Sequence, residues 1–567
     1  MQEIAYAAKL SGATGKDLDW MAHLGSQGRE KSNISKAIVN RYCKDKKIHL
    51  PEPYVCQIPQ LVKEGIHEET VESDFHLFLP HEWVASIART SEELELEVLN
   101  SPGISDFWAQ HNVEEDPKLF DNPITKVKNF KQVMLPVLVH GDGGEFQKRD
   151  SLNVISFKSM LSSISVAYSQ MMLAAVPKKS TVTDNTNSKN DTMMCIWEVL
   201  VWSFTALFQG VHPATDHLNR PWPKGSTREK NANKPIHKNL RACVFAISGD
   251  LEYFQNQFGL TAHSSHNLCW RCPANRSDVP FEDFKPHALW RKRVYTAEYS
   301  RAHPATEHPV MRIPGVVSES FCFDILHINE LGVLFHYIGN VFFNCVYNKW
   351  LPGNTVAHRC QELWKQILHW YGELKISSDN RIGKFSLESF VSDRKTPRKH
   401  YPKLKGIKAR ESRYLLPVAV QLCRLTHEKK PGDAQIKNIL EAGRCLEKMY
   451  AVMEAADIHP TLLEQIEFRE AVESFLMRYG SLHQEFQRQG IQQWNIVPKF
   501  HYASHSPDLF EALNIRYVST YSGETMVGLI CALGHSCLDG TAAHKISKKL
   551  CWKYRLGQFL RQRHLVM

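Results

Sequence analysis

VMLPVLVHGDGGEFQKRDSLNVISFKSMLSSISVAYSQMMLAAVP, residues 133–177, breaks into three apolar, β-branched runs separated by Gly-rich or charged turns. Short runs of that kind joined by such turns are the pattern of an antiparallel meander. A polar loop follows, STVTDNTNSKNDT, and then TMMCIWEVLVWSFTALFQG (192–210), which is long and apolar enough for a buried helix. After the loop RPWPKGSTREKNANKPIHKN comes RACVFAISGD (241–250), a compact strand that ends in Gly-Asp. The predicted order is β-β-β-α-β, the start of a ribonuclease H-like fold, in which a mixed sheet carries acidic residues at strand ends.

The surrounding chain is long, 567 residues, against roughly 150 per domain. Its composition, 43% hydrophobic and 23% charged with 13 Trp, is that of a folded protein and excludes collagen, coiled coil and wholesale disorder. Lys and Arg number 69 against 60 Asp and Glu, a net charge of +9, which leaves room for local basic surfaces that meet phosphate. The 14 cysteines sit mostly alone in apolar runs and do not form a disulfide framework. The first thirty residues lack the apolar core of a signal peptide, and a soluble protein of a reducing compartment is expected. Residues 1–128 mix short helical patterns with Pro-containing loops such as LPEPYVCQIP, and a mostly helical region is expected there. Helical periodicity dominates between about 330 and 490, and GETMVGLICALGHSCL reads as one more apolar-faced helix before a basic tail.

Three acids stand out by position: Asp142 after a buried β-run, Asp250 at the end of another, and Glu524 at the start of an apolar helix. Converging carboxylates are what two-metal phosphoryl transfer needs, because two divalent cations about 4 Å apart must be held around one phosphate. Acids after strands are also ordinary turn formers, Gly-Asp-Gly above all. A second set is Cys269-Trp-Arg-Cys272 with His501 and His505 of PKFHYASHSPDL, the histidines spaced i, i+4 to share one helix face. A redox pair and unconnected histidines remain open readings of these residues, and His263 and His266 are alternative ligands. A catalytic zinc fits poorly with four protein ligands, since catalysis needs an open position.

GDLEYFQNQFGLTAHSSHNLCWRC (249–272) resembles the second-aspartate block of cut-and-paste DNA transposases of the Plavaka, CACTA and Kyakuja-Dileera-Zisupton type. FDILHINELGV is similar to the family's DxxH block, here Asp324 and His327; HGDGGEF resembles the first-aspartate block; PKFHYASH followed by SGETMVG resembles the block with the last catalytic glutamate. The spacings also resemble the catalytic subunit of the V(D)J recombinase, and the likeness runs in order from about 133 to 560. It departs where relatives read Gly-Asp-Leu-Pro and this chain reads Gly-Asp-Leu-Glu, and Glu511 is a second choice for the glutamate.

The resemblance implies an α/β (α+β) chain with a ribonuclease H-like core interrupted by a large, mostly α-helical insertion. Its parts would be 1–128, an N-terminal region of unassigned role; 129–275, the first part of the core; 276–497, the insertion; and 498–567, the completion of the core. It implies Asp142, Asp250 and Glu524 as ligands of two Mg²⁺ or Mn²⁺, Cys269, Cys272, His501 and His505 as ligands of a structural Zn²⁺, and Asp324 and His327 as active-site support. A nuclear enzyme acting on double-stranded DNA as a dimer or larger assembly is the corresponding expectation, with a domesticated, inactive DNA-binding or scaffold protein as the alternative. Two basic segments, RKTPRKHYPKLKGIKARESR (394–413) and HKISKKLCWKYRLGQFLRQRH (544–564), fit that partner. Lys399, Lys403, Lys405, Lys408, Arg410, Lys549 and Arg555 are the expected phosphate contacts, against the reading of a merely solvated charge run.

Overall fold

A computed structural model describes residues 2–24, 34–46, 48–64, 67–184, 191–294 and 308–566. The N-terminal region contains helices, as expected, but also an antiparallel pair of long strands, β1 (Tyr54–Glu64) and β2 (His67–Leu77). β1 begins in the stretch LPEPYVCQIP, taken above for a loop because of its prolines. Tyr54, Cys56 and Ile58 are buried at alternate positions, and this period of two outweighs the turn signal. The pair joins the main sheet where the Phe78 N–H donates to the Leu173 carbonyl, 2.8 Å.

The main sheet is mixed, and its strands are β3 (Met134–Gln147), β4 (Asp150–Ser159), β5 (Gln170–Pro177) and β6 (Arg241–Ser248), in the spatial order β5-β4-β3-β6. β3, β4 and β5 form the antiparallel meander read from the sequence, and β6 lies parallel to β3. Every residue of β5 and all but the first of β6 are buried, which explains their unbroken apolar runs. A parallel bridge between Ile247 and Phe321 brings later chain to the outer edge of β6. The GDGG stretch is no turn: β3 runs through it, Asp142 pairs with Val154, and the chain reverses beyond Gln147, where Arg149 has φ 68°.

Between β5 and β6 runs α1 (Thr192–Gln209), capped by Asp191, which accepts from Met193 and Met194 N–H, and closed by Gly210 at φ 72°. It is apolar nearly all round because it packs inside the molecule, Phe204 meeting Phe157 of β4. Beyond β6 comes α2 (Leu251–Phe258), then loops and 3₁₀ turns through the described residues up to 325. The helical part of the expected insertion thus starts later than 276. It opens with a π-helical segment, Leu326–Val333, and continues as α3 (Leu334–Tyr347), α4 (Val356–Glu373), α5 (Ala409–Lys429), α6 (Ala434–Ala455) and α7 (Leu462–Arg488). Two short helices, α8 (Pro498–Ala503) and α9 (Ser506–Ala512), lead back to the sheet, where α10 (Tyr521–His535) and α11 (Ile546–Val566) complete the chain.

The register fixes which side chains meet. His140 of β3 lies opposite Ser248 of β6 in a parallel ladder, so Asp142 and Asp250, each two residues further on, arrive at the same end of the sheet. α10 covers that face: a Cβ on Gly144 would strike Val527 and Cys531, and one on Gly523 would strike the buried His140 ring at 2.2 Å. Glycine at 523 is therefore required for the helix bearing Glu524 to sit this close to β3. The opposite face carries α1.

Candidate functional site

Three segments bring the acids Asp142, Asp250 and Glu524 together. Asp142 is 8% exposed, its carboxyl accepts from the Gly143 N–H at 2.6 Å, and the Glu524 carboxyl acts on it. Burial, then the neighbouring Glu524 carboxyl and the Asp250 charge, push the Asp142 carboxyl up to about 9. Asp250 is also the N-cap of α2, accepting from Tyr253 N–H at 2.5 Å. The Tyr253 hydroxyl is buried in the field of both aspartates, with no hydrogen-bond partner among the described residues. Glu524, in the first turn of α10, keeps a side chain 40% exposed and open to a ligand. Its alternative, Glu511, is instead on the surface in an ion pair with Arg469 at 2.7 Å.

Asp324 ties this site to the helical part. Its carboxylate accepts from Thr520 N–H (2.8 Å), Thr520 Oγ1 (2.9 Å), His327 N–H (2.8 Å) and His327 Nδ1 (2.7 Å). Burial alone would raise this carboxyl, but the His327 bond and charge with the two N–H donors outweigh it and hold it below its usual range. Burial would likewise lower His327, yet Asp324, then Asp250 and Glu524, hold its imidazolium form up. The other ring nitrogen, Nε2, is 3.8 Å from Glu524 Oε1. Asp324 thus fixes the start of α10 while His327 faces the glutamate.

The electrostatics give a checkable consequence for stability. The Asp142 carboxyl titrates near 4 in an unfolded chain and at about 9 here, so the folded protein keeps a proton that the unfolded chain has released. Stability from this group is complete below the unfolded value and drains away as pH rises through that window. A divalent cation bound at these carboxylates would displace the proton and relieve the cost. Mn²⁺ is therefore expected to raise the melting temperature more at about pH 8 than at about pH 6, and Asp142→Asn should flatten that difference in a thermal-shift series.

The cysteines and histidines converge 19 residues beyond Asp250 in sequence, counting to Cys269. Cys269, Cys272, His501 and His505 are all buried, and their donor atoms lie within 4.8 Å of one another. Cys272 Sγ is 3.2 Å from His501 Nε2 and 3.5 Å from His505 Nε2, Cys269 Sγ is 3.5 Å from His505 Nε2, and the two Nε2 atoms are 3.3 Å apart. A tetrahedral zinc with Zn–S of about 2.3 Å and Zn–N of about 2.0–2.1 Å spaces its donors roughly 3.3–3.8 Å apart, so the set could hold that ion. Bonds from Cys272 and the histidines bring the Cys269 thiol well below its ordinary value despite burial, while burial and that neighbouring charge push Cys272 up. A dication would stabilise both as thiolates. The Arg271 N–H donates to Cys269 Sγ (3.3 Å), the Tyr502 hydroxyl to the Leu268 carbonyl (2.7 Å), and the Trp290 ring packs on both histidines.

The histidines do not share one continuous helix. α8 ends at Ala503 and α9 starts at Ser506 with Pro507 in its first turn, leaving His505 at the junction. His263 and His266 are exposed and outside the cluster. Among the described residues this set alone has three or more such donors within 4.8 Å, and the carboxylate set is more open.

The basic residues divide. Lys399, Lys403, Lys408 and Arg410 are exposed, Lys405 is half-buried, and Lys549 is half-buried with its ammonium donating to the Asp539 carbonyl at 2.8 Å. Arg555 is corrected from an exposed contact to a buried one: at 6% exposure it donates to the Leu50 carbonyl (3.0 Å) and packs on Trp552. The spacing of Arg555 with Trp552, i and i+3, was the available signal that it turns inward. Sequence reasoning also passed over Tyr253, His140 and Lys499, the last lying in PKFHYASH beside the histidines that drew attention. Comparison of the chain with protein-family models and with curated proteins gives no match.

Proposed function

We propose that the chain is a DDE-type DNA transposase whose ribonuclease H-like core uses Asp142, Asp250 and Glu524 to hold two Mg²⁺ or Mn²⁺. One observation carries the reading: strand order β5-β4-β3-β6 and the β3/β6 register bring two aspartates to one sheet end beneath a helix that adds the glutamate. Turn-forming acids would not converge from positions as far apart as 142, 250 and 524. The strand order, with three antiparallel strands and a fourth parallel to the first, supports the ribonuclease H-like assignment.

When bound, the divalent cations would neutralise charge on an in-line phosphoryl transfer, first hydrolysis at an element end and then attack by the freed 3′-hydroxyl on target DNA. The chain's own residues bind and orient. Asp142 must lose its proton to ligate, Asp250 is fixed by its capping bond, and Glu524 is placed by Gly523 against His140 and by Thr520 on Asp324. The Cys₂His₂ set would hold a structural zinc that ties α8 and α9, and through them α10, to the chain just after Asp250. Double-stranded DNA is the partner in this reading, the nucleus the place, and a dimer or larger assembly the working form.

The test is incubation of the purified chain with a duplex built from the sequences that flank its coding region. Nicks ending in a 3′-hydroxyl, and joined strand-transfer products, are expected only with Mg²⁺ or Mn²⁺. DNA binding with no metal-dependent cleavage would overturn the enzymatic reading in favour of a non-catalytic DNA-binding protein.

A further inference from the structure

Lys499 is a cation that the three-carboxylate reading does not use. It stands in α8, two residues before His501, and its stem lies across the π-helical segment that carries His327. A Cβ at Gly332 would sit 2.5 Å from Lys499 Cδ, so only glycine at that position lets the stem pass. The ammonium donates one N–H to the Leu331 carbonyl at 3.2 Å, and among the described residues no carboxylate forms an ion pair with it. Leu331 lies one turn beyond His327, whose Nε2 is 3.8 Å from Glu524 Oε1, so one short segment holds both the ammonium and the face of the carboxylate site.

Lys403 belongs to the basic segment 394–413, and the backbone holds it at this place. Its N–H donates to the Phe390 carbonyl at 3.3 Å, and the next N–H, of Leu404, donates to the Phe335 carbonyl of α3 at 2.9 Å. Its side chain is exposed and in no ion pair among the described residues. A Cβ at Gly339 of α3 would lie 2.5 Å from Lys403 Cα, and Gly339 is two helical turns beyond Gly332, so the two lysines follow one face of this stretch. Two ammonium groups gathered without a carboxylate of their own repel each other. A polyanion running past both would remove that cost.

We infer that Lys403 and Lys499 form a track for the phosphates of one DNA strand, with Lys499 contacting the backbone phosphate beside the bond held at Asp142, Asp250 and Glu524. The inference rests on the proposed function and adds the strand path to it. The track runs from the solvent-exposed basic segment, across α3 and the π-helical segment, to the carboxylates. The Cys₂His₂ cluster gains a second role by fixing α8, and with it Lys499.

Lys499→Gln, Lys499→Arg, Lys403→Gln and Asp250→Asn test this on the same flanking-sequence duplex, with thermal melting and zinc content measured for each variant. In fluorescence anisotropy across a salt series, Lys499→Gln and Lys403→Gln should each reduce the slope of log affinity against log salt by about 0.9. Nicking at saturating DNA should fall about 100-fold in Lys499→Gln and recover to within about 10-fold in Lys499→Arg. A folded Lys499→Gln with wild-type slope and nicking, beside an inactive Asp250→Asn, would overturn the track and leave the proposed function standing. A wild-type chain that never nicks would sink the proposed function alone, and the salt slopes would still decide the track. Should Lys499→Gln not fold, an unchanged slope in Lys403→Gln overturns the track by itself.

Discussion

Metal-dependent nicking is expected to drop by about 10³-fold or more in Asp250→Ala, with DNA affinity little changed. In the proposed site Asp250 has no substitute nearby, because Asp142 and Glu524 already act on each other. Asp250 has a second job that could mimic this result: as the N-cap of α2 it accepts from the Tyr253 N–H. Losing that cap costs about 1 kcal/mol and would loosen the Tyr253 ring, which packs against Gly141 of β3 and Gly249 just after β6. Asp250→Asn separates the two effects. Asparagine caps a helix about as well as aspartate but brings no negative charge to a cation. If ligation is what matters, Asn and Ala are equally inactive while only Ala loses stability. Activity retained in Asp250→Asn would make Asp250 a capping residue and remove it from the catalytic set.

The sheet was legible because its strands are buried on both faces, and a run such as MLAAV in β5 has no other use in a protein of this composition. The Asp250 cap went unread, because Gly-Asp was taken as the end of a strand while it also opens α2. Misreadings came where local chemistry has two outcomes. GDGG carries the strongest turn composition in the chain, yet pairing with β4 and the approach of α10 keep it extended, and glycine there serves packing instead of reversal. The prolines of LPEPYVCQIP hid β1, whose alternation shows only once β2 is known to lie beside it. Arg555 reads as one more charge in a basic tail, and its inward turn depends on the Leu50 carbonyl about 500 residues away in sequence, counted as 505. The partners of Asp324 were beyond reach for the same reason: Thr520 lies 196 positions on.

Removing zinc is expected to have the largest effect on stability. In Cys272→Ser, or after treatment with a strong chelator, the chain should lose more than about 4 kcal/mol, in the range set by loss of a structural metal. The donors are fully buried and packed by Trp290 and Phe323, so a vacated cluster leaves two sulfurs and two imidazoles buried without their ion. The loss should be local first. α8, α9 and the start of α10 meet the segment around Cys269 through this cluster and the Tyr502 bond to Leu268, so hydrogen exchange should rise there before it rises in α6 and α7, which pack on each other. Because α10 carries Glu524 and α8 carries Lys499, nicking should fall with the local order even where the rest of the fold survives. Replacing zinc by Cd²⁺, which satisfies the same four donors, should restore both stability and nicking, since a closed site contributes geometry and no open coordination position. One zinc per chain by elemental analysis is the first check. A purified chain without zinc that melts and nicks like a zinc-loaded one would show that the four side chains converge for packing alone. A Cd²⁺ form that is stable yet inactive would instead place the metal in the chemistry.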